Sequence, residues 1–376
     1  MTEGDDMEVQ QLQIFDYIDT DPQELEPPEL PPIVKAGELW QLGDHRLMCG
    51  DSTDPAVIAQ LLQGREVDLV FTDPPYGMGK QADGVENDNM KLASLLEFNR
   101  KWVPIAFDVL KPTGSFYCWG TDEPLMDIYS EIIKPLIRTQ RATFRNLITW
   151  DKGAGQGQRS ANTRQYATAD EKCLFIMCGK QGGENNQDSY SEAWEPVRLY
   201  IVTELEKLGV KSGSQYEAIH GSTNKSQHHL SRSHFSLMVR EDYERLQQYA
   251  KDRGVAAFLR SYDDIAAEYE STRAYFDNTH DNMNNVWRFS RTTPQERLLT
   301  GGHPTPKPIA LCERAIKTSS REGELVLDFF GGSGSTLIAA HQQHRVCYTC
   351  ELLPSWCDVI IRRWQTITGR QAQRIQ

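Results

Sequence analysis

The sequence predicts an α/β fold with a doubly wound, mostly parallel sheet. Three observations predict it. Short β-prone runs alternate with stretches of helical spacing at both ends of the chain, a grammar that covers both faces of a parallel sheet. One of those runs, Glu324–Phe330, passes straight into glycines and then into another helix. The chain has 376 residues, of which 39% are hydrophobic and 25% charged, enough for one large or two medium packed domains.

The elements follow in order. Leu39–Leu42 and the apolar run after His45 flank Gly43-Asp44-His45 and read as a hairpin. Asp54-Pro55 ahead of an apolar stretch closed by Gly64 reads as an N-cap, a first-position proline and a C-terminal glycine. Val67–Thr72 is a short strand that stops at Asp73-Pro74-Pro75-Tyr76. Residues 92–110 have helical spacing, with Pro104 expected to kink or break the helix. Ser115–Trp119, Asn146–Trp150 and Lys172–Met177 are further strands, the first two separated by a helix starting near Thr121. From about 181 to 290 the texture is polar, rich in His, Ser, Tyr and Asn, and predicts helices and loops. A helix from about Pro308, the strand at 324–330, a helix from Ser335 and a strand from Arg345 to Glu351 restore the α/β grammar.

The net charge of −13 is unevenly spread. Residues 1–38 hold 11 acids and one lysine, with five prolines between Pro22 and Pro32, and read as a disordered, solvated arm. The remaining 338 residues carry only −3, so global acidity argues little against a nucleic-acid partner. The acidic start lacks an apolar signal segment and no run of 18 apolar residues occurs, so neither export nor a membrane span is expected. Eight scattered cysteines suggest a reducing cytoplasm. Cys347 and Cys350 form a Cys-x-x-Cys without a second pair, and no metal is expected there.

Gly331-Gly332-Ser333-Gly334 between strand and helix brings backbone N–H groups and a helix start close to a ligand, although a tight turn would use the same glycines. Glu351 stands 20 residues beyond Gly331 at the next strand end, where an acid can accept from both ribose hydroxyls. A nicotinamide fingerprint would need glycine where Leu337 stands, and a P-loop would need a lysine the loop lacks. A nucleoside without phosphates fits, and S-adenosylmethionine is one.

Asp73-Pro74-Pro75-Tyr76 is the second constellation. Paired prolines stiffen the backbone and fix the preceding carbonyls. The Asp73 carboxylate and the Pro74 carbonyl can then accept both hydrogens of one exocyclic amine. That favours a pyramidal nitrogen with a freed lone pair. Tyr76 offers a face for a flipped base. Taken alone, the same residues also suit an ordinary turn ending a strand.

Together, Asp73–Tyr76 and Phe330–Gly334 resemble the DNA amino-methyltransferases, which methylate adenine N6 or cytosine N4 using S-adenosylmethionine. The catalytic tetrapeptide comes first and the cofactor loop last, an order similar to the circularly permuted β group of that family. The resemblance implies a Rossmann-like methyltransferase sheet and, residue by residue, a set of roles. Asp73, Pro74, Pro75 and Tyr76 become catalytic. Asp51, Thr305 and Lys307 (from His303-Pro-Thr-Pro-Lys-Pro308), Asp328, Phe330, Gly332, Ser333, Gly334 and Glu351 become cofactor-binding. Asn146–Gly153 is similar to a segment lining the target-base pocket. Phe329 where proline is common, Gly331 where alanine is frequent and Asp151 where asparagine is common depart from the pattern.

The implied division is an arm at 1–38, a catalytic half at 39–180, a target-recognition insert at 181–300 and a cofactor half at 301–376. Val210–Arg240 carries Lys211, Lys225, Arg232 and Arg240 against one acid, Glu217, and has four histidines. Val202–Leu208, Gln215–His220 and a turn at Gly221-Ser222 fit a helix-turn-helix variant or an ordinary helical subdomain. Lys152, Arg159 and Arg164 make a second basic loop beside the pocket. Lys152, Arg159, Arg164, Lys211, Lys225 and Arg232 are the expected DNA contacts. The expected protein is a cytoplasmic methyltransferase of a bacterial or phage-infected cell, acting on adenine N6 of double-stranded DNA. Cytosine N4 and a catalytically silent DNA-binding relative are the alternatives. A homodimer and a cognate restriction endonuclease stay open as partners.

Overall fold

Among the described residues, the polar loops expected between apolar runs deliver ten strands to one sheet, ordered β10-β1-β2-β9-β8-β3-β4-β6-β5-β7. The computed structural model describes residues 32–77, 88–156, 166–181, 190–221, 224–281, 283–292, 297 and 300–376. In chain order the elements are β1 (Leu39–Leu42), β2 (His45–Cys49), α1 (Pro55–Leu62), β3 (Val67–Thr72), α2 (Leu92–Val109) and β4 (Leu110–Gly120). Then come α3 (Asp122–Ile128), a π-helical turn at Tyr129–Ile133, α4 (Lys134–Arg138), β5 (Ala142–Gln156) and β6 (Thr168–Cys178). The insert holds α5 (Glu195–Lys207), α6 (Gly213–His220), α7 (Lys225–His229), α8 (Arg240–Asp252), α9 (Tyr262–Ser271) and β7 (Val286–Arg288). The chain closes with α10 (Ile309–Ser319), β8 (Leu325–Asp328), α11 (Ser335–Gln342), β9 (Val346–Glu351), α12 (Pro354–Thr368) and β10 (Gln373–Arg374).

Local chemistry explains the boundaries. Asp54 accepts from Ala56 N at 2.8 Å and Pro55 opens α1, while Gln63 and Gly64 take left-handed φ of 49° and 82° to end it. The break expected at Pro104 does not occur, and α2 runs through it. Trp102, Val103, Ala106 and Phe107 are buried on one face while Pro104 is exposed, so packing on that face outweighs one lost backbone bond on the other.

The strands β2, β9, β8, β3 and β4 are mutually parallel and form the middle of the sheet. The strands β6 and β5, expected in the same parallel series, are antiparallel to β4 and to each other. No helix intervenes between β5 and β6 among the described residues, so the chain returns as a hairpin. Side chains alternate across the pleat: Leu69 and Phe71 enter one core with Trp119, Leu311, Leu337 and Trp364, whereas Val70 enters the other with Trp102, Phe116 and Leu327. α10, α11 and α12 cover the first face and α1, α2 and α3 the second, the doubly wound arrangement that the sequence predicts.

The insert has a core of its own, with Trp194, Ile201, Tyr216, Tyr243, Leu246 and Phe258 at its centre. Its α5 begins seven residues before the expected Val202. α6 follows the expected segment closely: Ser212 caps it by accepting from Gln215 N, and Gly221 ends it at φ 61°. At the amino end, residues 1–31 lie outside the described residues. Ile33 N and Val34 N donate to the Asp358 carboxylate at 2.8–3.0 Å, so packed structure begins before the expected boundary at 38. Among the described residues no helix is long and apolar enough to cross a membrane.

Candidate active site

Adjacent parallel strands put the two singled-out loops side by side. β3 pairs with β8 (Leu69↔Val326, Val70↔Leu327), and both strands end at the same edge of the sheet. From β3 the chain moves through α2 to β4 on one side; from β8 it moves through α11 to β9 on the other. The crevice therefore lies where the winding direction reverses, the place where open α/β sheets bind ligands. Thr72 Oγ1 donates to Asp328 Oδ1 at 3.0 Å and accepts from Phe329 N at 3.2 Å, tying the two strand ends together.

A cleft of about 290 Å³ opens there, lined by Asp73, Pro74, Pro75 and Tyr76 on one side and by Phe330, Gly331, Gly332, Ser333 and Glu351 on the other. Asp51, Thr305, Lys307 and Asp328 line it too, as does Lys152. Gly334 does not line it but caps α11 at φ 80°. Every residue expected to be catalytic, and every expected cofactor contact except Gly334, thus borders one cavity.

The glycine loop is shaped by contact as much as by φ. A Cβ on Gly331 would come within 2.6 Å of Thr349 Oγ1, and one on Gly332 within 3.1 Å of the His303 ring. Glu351 Oε2 accepts from Gly332 N at 2.8 Å and Oε1 from Leu353 N at 2.9 Å, leaving a lone pair on each oxygen. Burial pushes this carboxyl up to about 7 against those bonds. Burial likewise pushes Asp328 up to about 7 and His303 down to about 4, so His303 is neutral at pH 7.

A nucleoside bearing a positive sulfonium suits these walls. Among the described residues, seven carboxyl side chains and the cations Lys152, Lys307 and Arg291 border the cleft. Glu351 has the free acceptor positions a ribose diol needs, and Phe330 and Phe98 supply rings at the same wall.

The opposite wall is an ion cluster. Lys307 Nζ donates to Asp73 Oδ2 at 2.5 Å and to Tyr76 Oη at 2.9 Å, and lies 3.0 Å from Glu171 Oε2. Lys152 Nζ pairs with Glu171 Oε1, and the Tyr76 hydroxyl donates to Asp73 Oδ1. Asp88 Oδ1 accepts from Tyr76 N at 2.8 Å and Gly77 N at 2.9 Å, pinning the backbone after the prolines. The Asp73 side chain keeps 24% of its surface through the cleft mouth, yet protein surrounds it on the other sides. That loss of solvation pushes its carboxyl up to about 6 against the pull of Lys307, with Glu171 adding repulsion. Burial alone would discharge Lys307; Asp73 and Glu171 outweigh it and hold the ammonium above its ordinary range. Lys307, expected beside the cofactor, lines the cleft and bonds the Asp73–Tyr76 loop.

The expected DNA contacts scatter. Lys152 sits in the cleft, 4.5 Å above the Trp150 ring. Lys225 is committed to Asp242 at 2.7 Å, and Arg232 lies 3.6 Å from Glu195 and 4.0 Å over the Tyr190 ring. Lys211 is exposed, whereas Arg159 and Arg164 lie outside the described residues. Cys347 enters one core and Cys350 the other, so the two thiols face away from each other across the sheet. Glu171, Asp88 and Arg291 went unnoticed in the sequence. Glu171 follows Asp170 and precedes Lys172 at a strand start, a charged run that reads as solvated surface.

A family model described as DNA methylase matches residues 67–362. Type II methyltransferase M1.MboII of Moraxella bovis is 26% identical over 316 residues, covering 82% of this chain and 90% of its own length. Type II methyltransferase M.HpaI of Haemophilus parainfluenzae is 26% identical over 292 residues, covering 78% of this chain and 65% of its own length, just under two thirds. DNA adenine methyltransferase YhdJ of Escherichia coli strain K12 is 23% identical over 319 residues, covering 84% and 81%.

Proposed function

We propose that this chain, which belongs to the N6/N4 family of DNA methylases, moves a methyl group from S-adenosylmethionine to the N6 amine of an adenine flipped out of double-stranded DNA. The observation that carries the reading is the shared cleft: a carboxylate and a rigid carbonyl face a glycine loop and a diol-binding acid across one cavity.

On the donor side Glu351 accepts from the ribose hydroxyls, Phe330 and Asp51 border the adenine, and Thr305, Ser333 and Asp328 border the remainder, with Gly332 and Gly334 shaping the loop. S-adenosylmethionine supplies an electrophilic methyl on a cationic sulfur. On the acceptor side Asp73 and the Pro74 carbonyl accept hydrogen bonds from the two amine hydrogens and concentrate the nitrogen lone pair. As the N–C bond forms the C–S bond breaks, S-adenosylhomocysteine leaves, and the methylated nitrogen loses one proton to solvent. Each Asp73 oxygen already holds one donor, from Tyr76 and Lys307, and keeps a lone pair for the base. Pro75 keeps the loop rigid. The Tyr76 hydroxyl, which accepts from Lys307 and donates to Asp73, fixes its ring for stacking. Holding both reactants in one cleft makes the transfer effectively unimolecular.

Adenine is favoured because aspartate opens the tetrapeptide, which in the resembled group accompanies adenine more often than cytosine, and because YhdJ is named an adenine methyltransferase. The insert reads the DNA, with Lys211 as its exposed candidate and Arg159 and Arg164 proposed from sequence. The reading extends to a cognate restriction endonuclease, since M1.MboII and M.HpaI are named Type II methyltransferases, to a homodimer, and to the bacterial cytoplasm. Expression in a host without DNA methylation, followed by nucleoside mass analysis and modified-base sequencing, tests it. N6-methyladenine in one sequence context is expected; N4-methylcytosine overturns the choice of base, and unmodified DNA overturns the activity.

A further inference from the structure

Four ionisable groups from four separate segments meet at the acceptor wall, the acceptor carboxylate among them. Asp73 follows β3, Glu171 lies on β6, Lys152 on β5 and Lys307 ahead of α10. Lys307 is 7% exposed and bridges the two acids, at 2.5 Å to Asp73 and 3.0 Å to Glu171. Glu171, 16% exposed, also pairs with Lys152. Burying such a set is costly unless each charge is matched, and two acids against two ammoniums leave it neutral. A loop that needed only a tight turn would not call for it.

We propose that Glu171, acting through Lys307, is a positioning residue for Asp73: it holds the ammonium between two carboxylates, so that Lys307 keeps Asp73 ionised without fully neutralising it. This inference rests on the methyl-transfer reading of the cleft. An Asp73 paired one-to-one with Lys307 would spend its negative charge on the ammonium. Shared with Glu171, Lys307 leaves charge on Asp73 for the amine, which turns positive as the methyl arrives. Lys152 then balances Glu171.

The other groups around Asp73 do not reproduce this balance. Tyr76 donates a neutral hydrogen bond, and Asp328 on β8 adds only repulsion across the strand pair. The thiols of Cys118, Cys173 and Cys312 are buried and pushed far above neutral pH. Lys307 lowers the Asp73 titration point and Glu171 raises it, so removing each moves it in opposite directions.

The test measures tritiated methyl incorporation from S-adenosylmethionine into unmethylated chromosomal DNA by the full chain, from pH 5 to 9. Glu171→Gln is compared with Lys307→Met and with Lys307→Arg as the conservative partner. Glu171→Gln is expected to lower kcat about tenfold, to leave KM for S-adenosylmethionine within about twofold, and to move the acid limb down by about one pH unit. Lys307→Met is expected to move that limb up, and Lys307→Arg to restore part of the rate. If Lys307→Met fails to fold, the Glu171→Gln limb decides. A merely structural Glu171 would lower Tm and leave the limb in place, which overturns the proposal. No incorporation by the unaltered chain overturns the methyl-transfer reading and this inference with it; normal incorporation with an unmoved Glu171→Gln limb overturns this inference alone.

Discussion

Glu351 shows how one side chain can serve the fold and a ligand together. Its oxygens close the glycine loop through Gly332 N and the start of α12 through Leu353 N, yet burial raises its carboxyl to about 7. A diol donating two hydrogen bonds prefers the ionised form. Affinity for S-adenosylhomocysteine, which shares that ribose, should therefore strengthen as pH rises through about 7 and weaken below it. Calorimetry at pH 6 and pH 8 should show a tighter complex at pH 8, and Glu351→Ala should weaken it at both by about 10-fold or more. The sign for Asp73 is similar for turnover: under the proposed mechanism the carboxylate is the working form, so rate should fall as pH drops through about 6. Asp73→Ala should abolish methylation while S-adenosylhomocysteine affinity stays within about threefold, because its nearest partners are Lys307 and Tyr76 rather than the glycine loop. Lys225 belongs to a different ledger. Its bond to the buried Asp242 makes Lys225→Met a destabilising change of about 1–2 kcal/mol, read by urea unfolding, and not a selective loss of DNA affinity.

Elements were legible where a local signal and a burial face agree. α1 announced itself through Asp54, Pro55 and Gly64, and the structure uses all three neighbourhoods. The strand–glycine–helix passage at 325–342 was equally readable, because a buried strand, a positive-φ loop and a capped helix each leave residues of their own. Pro104 misled because a single-residue rule ignores the opposite face, where Trp102 and Phe107 pack. That helix offers a check: Pro104→Ala restores a backbone donor on an exposed face and should raise stability by about 1–2 kcal/mol in urea unfolding. The direction of β5 and β6 was not readable, since pairing depends on what connects the strands rather than on their composition. Glu171 was hidden for a related reason: its partners lie on β5 and ahead of α10, far away in sequence.

At the scale of the whole molecule, three cores divide the labour: one on each face of the sheet and a third inside the insert. The two motifs were legible as chemistry, and the alternation of elements predicted that one crevice would unite them, but charge on the insert was a poor guide. Lys225 and Arg232 look free in sequence and spend themselves on Asp242, Glu195 and Tyr190 in the fold. Both margins of the sheet are finished by short strands, β10 and β7. At the first margin Leu39 N donates to Gln376 O at 3.0 Å and Ile375 N to Leu39 O at 2.9 Å, so the last residues lie against the first strand. β10 and β1 are thus neighbours at one margin although the rest of the described sheet separates them in sequence. A gene in which Arg374 is joined to Leu39 through a short linker and reopened ahead of Ile309 should still yield the same sheet, since those two strands already pair.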